Sequence, residues 1–291
     1  MSDKLQRFHF HDSPVRGEIC QLGAAYREVL SRHDYPERVQ ELLGQALAAV
    51  ALMASMLKLE GSLILQIQGD GPVSLLVAEA NDRGELRAIA RYDAGAAAAQ
   101  GDWTSLTGRG QLVLTIDPDA GERYQGIVPL EGESLAAALG HYFAQSEQLP
   151  TEFYLFADGK NAGGLMLQVL PGHDAGEDDD IWPRVCQLAG TLKSDEMLGL
   201  GMEDVLYRLY HEEAVELFAV SELTFRCSCS RARSENALRA IDIDELRALV
   251  RDQGGSIEVD CQFCHQRYRF DSVDIEQLAH GDVQSGSASL Q

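Results

Sequence analysis

Apolar residues follow two rhythms along this chain, and the change from one to the other outlines its elements. Short apolar or alternating runs have the length and period of strands: Leu63-Ile64-Leu65-Gln66-Ile67-Gln68, Val73-Ser74-Leu75-Leu76-Val77, Leu112-Val113-Leu114-Thr115-Ile116 and Phe153-Tyr154-Leu155-Phe156. Turn-forming clusters separate them at Asp70-Gly71-Pro72, Asp82-Arg83-Gly84, Asp117-Pro118-Asp119 and Asp158-Gly159. A helical rhythm governs Pro36 to Leu59, where Leu42, Leu43, Leu47, Val50 and Met53 fall on one face. A second helix is predicted from Ser134 to Gln148. Residues 1–170 therefore read as one α+β domain, with the long helix packed on a sheet. The glycines at 69, 71, 108 and 110 fit turns between strands, and no phosphate-cradling loop is present.

The pattern breaks after residue 170. Pro171 to Asp180 lacks any apolar period and carries five acids in its last seven residues, which reads as an exposed linker. From Ile181 to Phe218 helical spacing returns at Val185, Leu188, Leu192, Leu206, Leu209, Val215 and Leu217, interrupted by Gly199 and Gly201. This helical block, taken with the linker as residues 171–220, is expected to be only marginally stable unless it finds something to pack on. Residues 221–280 form a small third module, and 281–291 read as a disordered tail.

Charge narrows the function. The balance of 24 basic against 46 acidic residues gives −22, which disfavours nucleic acid as a partner, because phosphate contacts need clustered Lys and Arg. It favours solubility and would help keep a sticky partner in suspension. The N-terminus has no apolar signal core. The longest uncharged run, Leu42 to Leu57, has 16 residues, short for a membrane span, so no membrane association is expected.

Chemistry concentrates in the last module. Four of the six cysteines form two tight pairs, Cys227-x-Cys229 and Cys261-x-x-Cys264, with 31 residues between them. Four thiolates at that spacing suit one tetrahedral Zn²⁺, and the clustering suggests metal or redox chemistry in a reducing cytosol. A strand from Leu223 to Arg226 leads into the first pair. A helix over Ile243–Asp252 follows, and strands at Ser256–Asp260 and Arg267–Phe270 frame the second pair as a hairpin tip. Sixty residues make a small core, which usually needs a metal or disulfides to hold it.

The four thiols could also leave the metal as two disulfides between neighbours. A bond across Cys-x-Cys closes a strained ring, which suits reversible switching. Structural zinc contributes on the order of 10–16 kcal/mol to folding, and two such short-range disulfides ~3 to 4 kcal/mol. Oxidation is therefore expected to unfold the module and to withdraw support from the 181–218 block. Arg226, Arg231, Arg233, Arg267 and Arg269 either offset the thiolate charge or form a solvated face. Cys20 and Cys186 read as buried small hydrophobes, and His265 as a surface residue.

These motifs carry a resemblance. Pro14-Val15-Arg16-Gly17-Glu18, Gln68-Gly69-Asp70-Gly71-Pro72, Gly121 to Leu130, His141 to Gln148, Tyr210-His211-Glu212-Glu213, Phe225-Arg226-Cys227-Ser228-Cys229-Ser230 and Cys261-Gln262-Phe263-Cys264 together span the chain. It resembles the thirty-three-kilodalton heat-shock protein family of redox-regulated bacterial holdase chaperones. That resemblance implies one Zn²⁺ per chain, held in the reduced and inactive state on Cys227, Cys229, Cys261 and Cys264. It implies that peroxide with heat, or hypochlorite, releases the metal and joins Cys227 to Cys229 and Cys261 to Cys264, the distal pair first. It implies an unfolded linker, a homodimer on oxidation, ATP-independent binding of unfolding client proteins, and hand-over of clients to ATP-dependent chaperones in the cytoplasm. One local departure is His265, where the family commonly has asparagine. The enzyme alternative is a thiol–disulfide oxidoreductase using Cys261 and Cys264. That chemistry wants the first Cys at a helix N-terminus beside a strand, whereas this pair is framed by strands. A zinc ribbon for nucleic acid is disfavoured by eight arginines against twelve acids from residue 221 onward.

Overall fold

A computed structural model of the protein describes residues 2–56, 60–97, 101–171 and 180–281. The chain divides into two compact units, Met1–Arg226 and Cys227–Gln291. In the first, the chain runs β1 (Lys4–Phe10), β2 (Val15–Leu22), α1 (Ala24–Leu30), α2 (Glu37–Ala54), β3 (Gly61–Gly69), β4 (Val73–Asn81), β5 (Glu85–Tyr92), α3 (Ala94–Ala97), α4 (Trp103–Thr107), β6 (Gly110–Pro118), β7 (Tyr124–Pro129), α5 (Leu135–Tyr142), β8 (Thr151–Ala157) and β9 (Ala162–Val169). It continues through α6 (Ile181–Ala189), α7 (Ser194–Gly199), α8 (Met202–Tyr210), β10 (Val215–Glu222) and β11 (Thr224–Phe225).

Two sheets result. The first has the order β10-β1-β2-β9-β8, antiparallel throughout. The second has the order β11-β5-β4-β3-β6-β7, antiparallel except where Thr224–Phe225 runs parallel beside Glu85–Leu86. Helix α2 lies between them and touches both. Thirteen of its 18 residues are buried, the mark of a helix enclosed on all sides rather than laid on one surface. The expectation of a helix packed on a sheet is therefore half the arrangement. Ala46, Ala48, Ala49, Ala51 and Ala54 are buried at positions spread around the helix, and their small side chains let both sheets come close. Gly44 is another close approach: a Cβ there would stand 2.6 Å from Ala157 Cβ and 2.9 Å from the Tyr26 ring. The helix stops at Ala54, and residues 57–59 lie outside the described residues. The second expected helix also ends early. After Tyr142 the chain makes one π-helical turn, Phe143–Glu147, and leaves it through Gln148 at φ +56°.

The block from Ile181 to Phe218 corrects the sequence reading in two ways. It is helical only to Tyr210; Val215–Phe218 belong to β10, which pairs with β1 as the edge of the first sheet. Val215 and Leu217 are two residues apart, a strand spacing, and β1 supplies main-chain partners that a helix end would lack. The helices also have their support within the first unit. Ile181, Val185, Ala189, Leu192, Met197, Leu198, Val205, Leu206, Leu209 and Tyr210 pack with Phe8, Phe10, Val15, Ile19, Leu165 and Leu167, on the sheet face turned away from α2. Gln21 Nε2 adds a polar tether, donating to the carbonyls of Met197 and Leu200 at 2.8 Å each. The expected linker residues 172–179 and tail residues 282–291 lie outside the described residues.

The second unit contains α9 (Arg231–Leu238), α10 (Ile243–Asp252), the antiparallel hairpin of β12 (Ser256–Asp260) and β13 (Arg267–Asp271), and α11 (Ser272–Gly281). Among the described residues its buried core is seven side chains: Leu238, Leu246, Val250, Ile257, Phe270, Ile275 and Leu278. Among the described residues no helix is long and apolar enough to cross a membrane.

Candidate metal centre

The four cysteines arrive on two rigid supports. Cys227 and Cys229 lie in the short segment between β11 and α9, and Ser230, next in the chain, caps α9 by accepting a hydrogen bond from the Arg233 amide at 3.2 Å. That cap fixes the chain direction just past Cys229. Cys261 and Cys264 sit in the six-residue tip of the β12–β13 hairpin, beyond its last pair, Asp260 with Arg267. The Cys261 amide donates to the Gln266 carbonyl at 2.9 Å, and the His265 amide to the Cys261 carbonyl at 2.8 Å. The tight closure puts His265 at φ +59°. This is the left-handed region in which Asn, Asp and His are the better-tolerated non-glycine residues, so an asparagine or histidine suits position 265.

The two supports bring the thiols together. Cys227 Sγ lies 3.6 Å from Cys261 Sγ, and Cys229 Sγ 3.4 Å from Cys264 Sγ. All four sulfurs fall within 4.8 Å of one another. Sulfurs bound about 2.3 Å from one tetrahedral ion would be ~3.8 Å apart, so the set has ligand spacing and none of the four is disulfide-bonded. Four soft, half-buried donors and no carboxylate favour Zn²⁺ or another thiophilic ion over Mg²⁺ or Ca²⁺.

Electrostatics point the same way. Burial opposes ionisation of Cys227, but the Cys229 amide and the Cys264, Cys229 and Cys261 thiols outweigh it and hold the Cys227 thiol below its ordinary range. Burial, together with the neighbouring Cys227, raises Cys261. Burial first, and then the neighbouring thiols, push Cys264 up to about 12. The cluster alone thus favours one thiolate and resists the next. A divalent cation removes that conflict by neutralising the charge the sulfurs would otherwise impose on each other.

Each of the five arginines near the thiols is engaged by another group. Arg231 pairs with Asp274 at 2.7 Å and lies over the Phe270 ring, 4.4 Å from its centroid. Arg267 pairs with Asp260 and Glu258 at 2.8 Å each, and Arg226 with Glu85 at 3.2 Å. Arg269 donates to Ser256 Oγ at 2.8 Å, and Arg233 to Ser228 Oγ. They serve mainly as internal ion-pair and hydrogen-bond partners. Cys20 and Cys186 stand apart from the cluster. Cys20 is fully buried, its thiol 3.6 Å from the Ala48 carbonyl, and burial raises it far above the usual thiol range. Burial likewise pushes Cys186 up to about 12.

Sequence reasoning missed Tyr268. It stands opposite Val259 in the hairpin, and its O–H donates to Cys229 Sγ at 3.2 Å, across the cluster from its own loop. Only the hairpin register, which folds the strand after Cys264 back over the sulfurs, could have revealed it. Outer-shell donors to a ligand sulfur commonly tune affinity 10- to 100-fold. Tyr268→Phe is therefore expected to weaken metal binding on the order of tenfold, read by competition with a chromophoric chelator. Unchanged affinity would mean that this hydroxyl is only a strand-surface group.

The wider chain decides the family. The sequence profile of Hsp33 protein matches residues 3–271. The chain belongs to the Hsp33 family. The 33 kDa chaperonin of Ectopseudomonas mendocina (strain ymp) is 50% identical over 284 residues, 97% of this chain and 96% of that protein. The 33 kDa chaperonin of Azotobacter vinelandii (strain DJ / ATCC BAA-1303) is 51% identical over 282 residues, 96% of this chain and 95% of that protein. Among solved structures, the crystal structure of the 33 kDa chaperonin (heat shock protein 33 homolog) from Thermotoga maritima matches with a TM-score of 0.82 at 25% identity, covering 98% of this chain and all of that one. The likeness to Hsp33 proteins thus extends from β1 through the cysteine module, and the relatives bear the name of a chaperone rather than of an enzyme. The oxidoreductase alternative also lacks its geometry: Cys261 opens a strand-to-strand turn, and the next helix begins only at Ser272.

Proposed function

We propose that this chain is a redox-switched, ATP-independent holdase chaperone whose switch is the four-cysteine cluster. The observation that carries the reading is the pairing of four thiols at ligand spacing with a module whose own core is seven side chains, in a chain of the Hsp33 family. In the reduced protein Cys227, Cys229, Cys261 and Cys264 hold one Zn²⁺, which supplies charge neutralisation and cross-links the two supports. The outer-shell Tyr268 hydroxyl orients Cys229.

Oxidation by peroxide or hypochlorite turns four thiols into two disulfides, giving up two electrons per bond to the oxidant, and the metal loses its donors. The short sulfur contacts run between the motifs, 227 to 261 and 229 to 264. Once the supports separate, however, only neighbours in sequence stay within reach of each other. Neighbour reach is compatible with the pairs Cys227–Cys229 and Cys261–Cys264, and the family resemblance implies these pairs, with the distal one oxidising first. The module then trades on the order of 10–16 kcal/mol of metal stabilisation for ~3 to 4 kcal/mol. Along the chain the change reaches α6–α8 through β11 and β10, the strands that connect them to Cys227. In this reading residues 1–170 are a stable platform, 171–220 the segment that loosens, and 221–280 the sensor. Apolar side chains freed in an acidic, soluble chain bind unfolding clients in the cytoplasm, the oxidised protein dimerises, and clients pass to ATP-dependent chaperones after reduction. No catalytic turnover is part of this function.

Zinc release and thiol count on reduced protein treated with hypochlorite, run beside light scattering from a heat-denatured client, test it. One zinc leaving as four thiols disappear, with suppression of aggregation rising in step, is the expected result. Zinc that stays bound, or leaves without any gain in suppression, would make the cluster structural only.

A further inference from the structure

Within the first unit the side chain that most needs a physical account is Glu18. It sits mid-strand in β2, on the face turned toward α2 with Cys20 and Leu22, and is 1% exposed. Its surroundings from each packed element can be named. Arg7 of β1 and Met166 of β9 stand opposite it in the sheet. Arg16 and Cys20 flank it on its own strand, with Gln168 of β9 opposite Arg16. Helix α2 contributes Ser55, at its C-terminal cap. Helix α8 packs on the other face of β2, that of Ile19, and brings no charge to this one.

Counting hydrogens indicates the protonation state. Ser55 Oγ contacts Glu18 Oε2 and also the Leu52 carbonyl oxygen, at 3.0 Å. A hydroxyl carries one hydrogen, and a carbonyl only accepts. With an ionised Glu18, two acceptors would compete for that hydrogen and one contact would hold none. With a neutral Glu18, the carboxylic acid donates to Ser55, Ser55 donates to Leu52, and both contacts are hydrogen bonds. Arg16 gives a second, independent sign. Its Nη2 donates to Gln168 Oε1 at 2.7 Å and contacts Met56 Sδ at 3.0 Å, while Arg16 Nε and Glu18 Oε1 both lack a hydrogen-bond partner among the described residues. A buried carboxylate would be expected to draw that guanidinium onto itself. We propose that Glu18 is a carboxylic acid below neutral pH and acts as a proton-dependent clasp tying the C-terminal turn of α2 to the five-stranded sheet.

The energetics agree. Burial, against smaller opposing effects from Ser55, Arg16 and Arg7, pushes the carboxyl up from 4.5 to about 7. Ser55 also lines a cavity of about 420 Å³ with Arg7, Ala51 and Ala54, which gives the proton a route to solvent. The folded state binds one proton more than the unfolded chain between those two values. Stability is therefore full below the lower value, falls as pH rises through that window, and levels off above it.

The test uses the full reduced protein. Its infrared spectrum at about pH 6 should contain a protonated-carboxyl band that fades by about pH 8.5 and is missing from Glu18→Gln, and the melting temperature of the wild type should fall by several degrees more than that of the variant between those pH values. Because a variant can perturb the strand, the ¹³C shift of the Glu18 carboxyl in the unaltered protein gives an independent reading. A midpoint close to 7 supports the clasp, whereas a midpoint near the ordinary 4.5, or an infrared band unchanged by Glu18→Gln, overturns it.

Discussion

Replacing Cys264 by Ser should leave the reduced protein with a folded first unit and an unfolded second one. The argument is one of magnitude. A unit whose buried core is seven side chains needs a staple besides that core in order to fold. A structural metal contributes on the order of 10–16 kcal/mol to folding. Losing one of four thiolates leaves a three-sulfur site with a hydroxyl that stays protonated, and the hairpin tip loses its link to Cys229. Zinc stoichiometry and amide exchange resolved along the chain report the two effects separately. Exchange should approach unprotected rates across β12, β13 and α10 while β3 and β6 stay slow. Full zinc retention with unchanged protection in the variant would refute the four-thiolate site. A strong chelator applied to the unaltered protein should reproduce the same pattern.

Phe8→Ala is expected to be the most damaging single change for the helical block. Phe8 sits in β1 with its ring over Gly17, where a Cβ would come 2.1 Å from Phe8 Cζ, so the strand has made room for it. The ring packs 5.7 Å from Phe10 and 6.1 Å from Tyr210, centroid to centroid, and Phe10 meets Tyr210 edge-on at 5.0 Å. These contacts pin α8 to the sheet. Truncation at such a site costs about 3–5 kcal/mol. If that loss falls on the local opening of α6–α8, their open population rises on the order of 10²- to 10³-fold, since each 1.4 kcal/mol is tenfold. Exchange of the α6 and α8 amides measures it. If the proposed function holds, the reduced variant also suppresses client aggregation without oxidant, with its zinc still bound. Unaltered exchange in the helices would mean that some other contact carries them.

The sequence was most informative where one face decides an element. β3, β4, β6 and β8 announce themselves by period, and the cysteine spacing announces that the four thiols meet in one cluster able to hold a metal ion. Strands β2 and β9 hide for a physical reason. They are buried on both faces, and they carry Glu18, Gln21, Gly17, Gly163 and Gly164 where alternation would be looked for. The buried alanines of α2 are silent for a similar reason, since alanine scores as apolar only weakly and yet is what allows two sheets to approach one helix. The first half of β10, Val215–Phe218, continues a helical spacing in the sequence because its pairing partner lies more than 200 residues away, beyond any local signal. Tyr268 was invisible as a contact to sulfur until the hairpin register placed it.

The pairing of β10 with β1 joins Val215–Glu222 to Lys4–Phe10, and this sets the order in which the molecule can be made. On a ribosome adding roughly 5–20 residues per second, β1 emerges with β2 at once but waits on the order of 10 s or more for the strand that covers its outer edge. Through that interval the sheet face bearing Phe8, Phe10 and Ile19 has no helices on it, and β1 offers an unpaired edge of the kind that templates association. A chaperone of this topology is thus itself, for part of its own synthesis, a chain with exposed apolar strands. Residues 1–170 already carry 22 acidic against 13 basic residues, a net negative charge that works against aggregation before α6–α8 arrive.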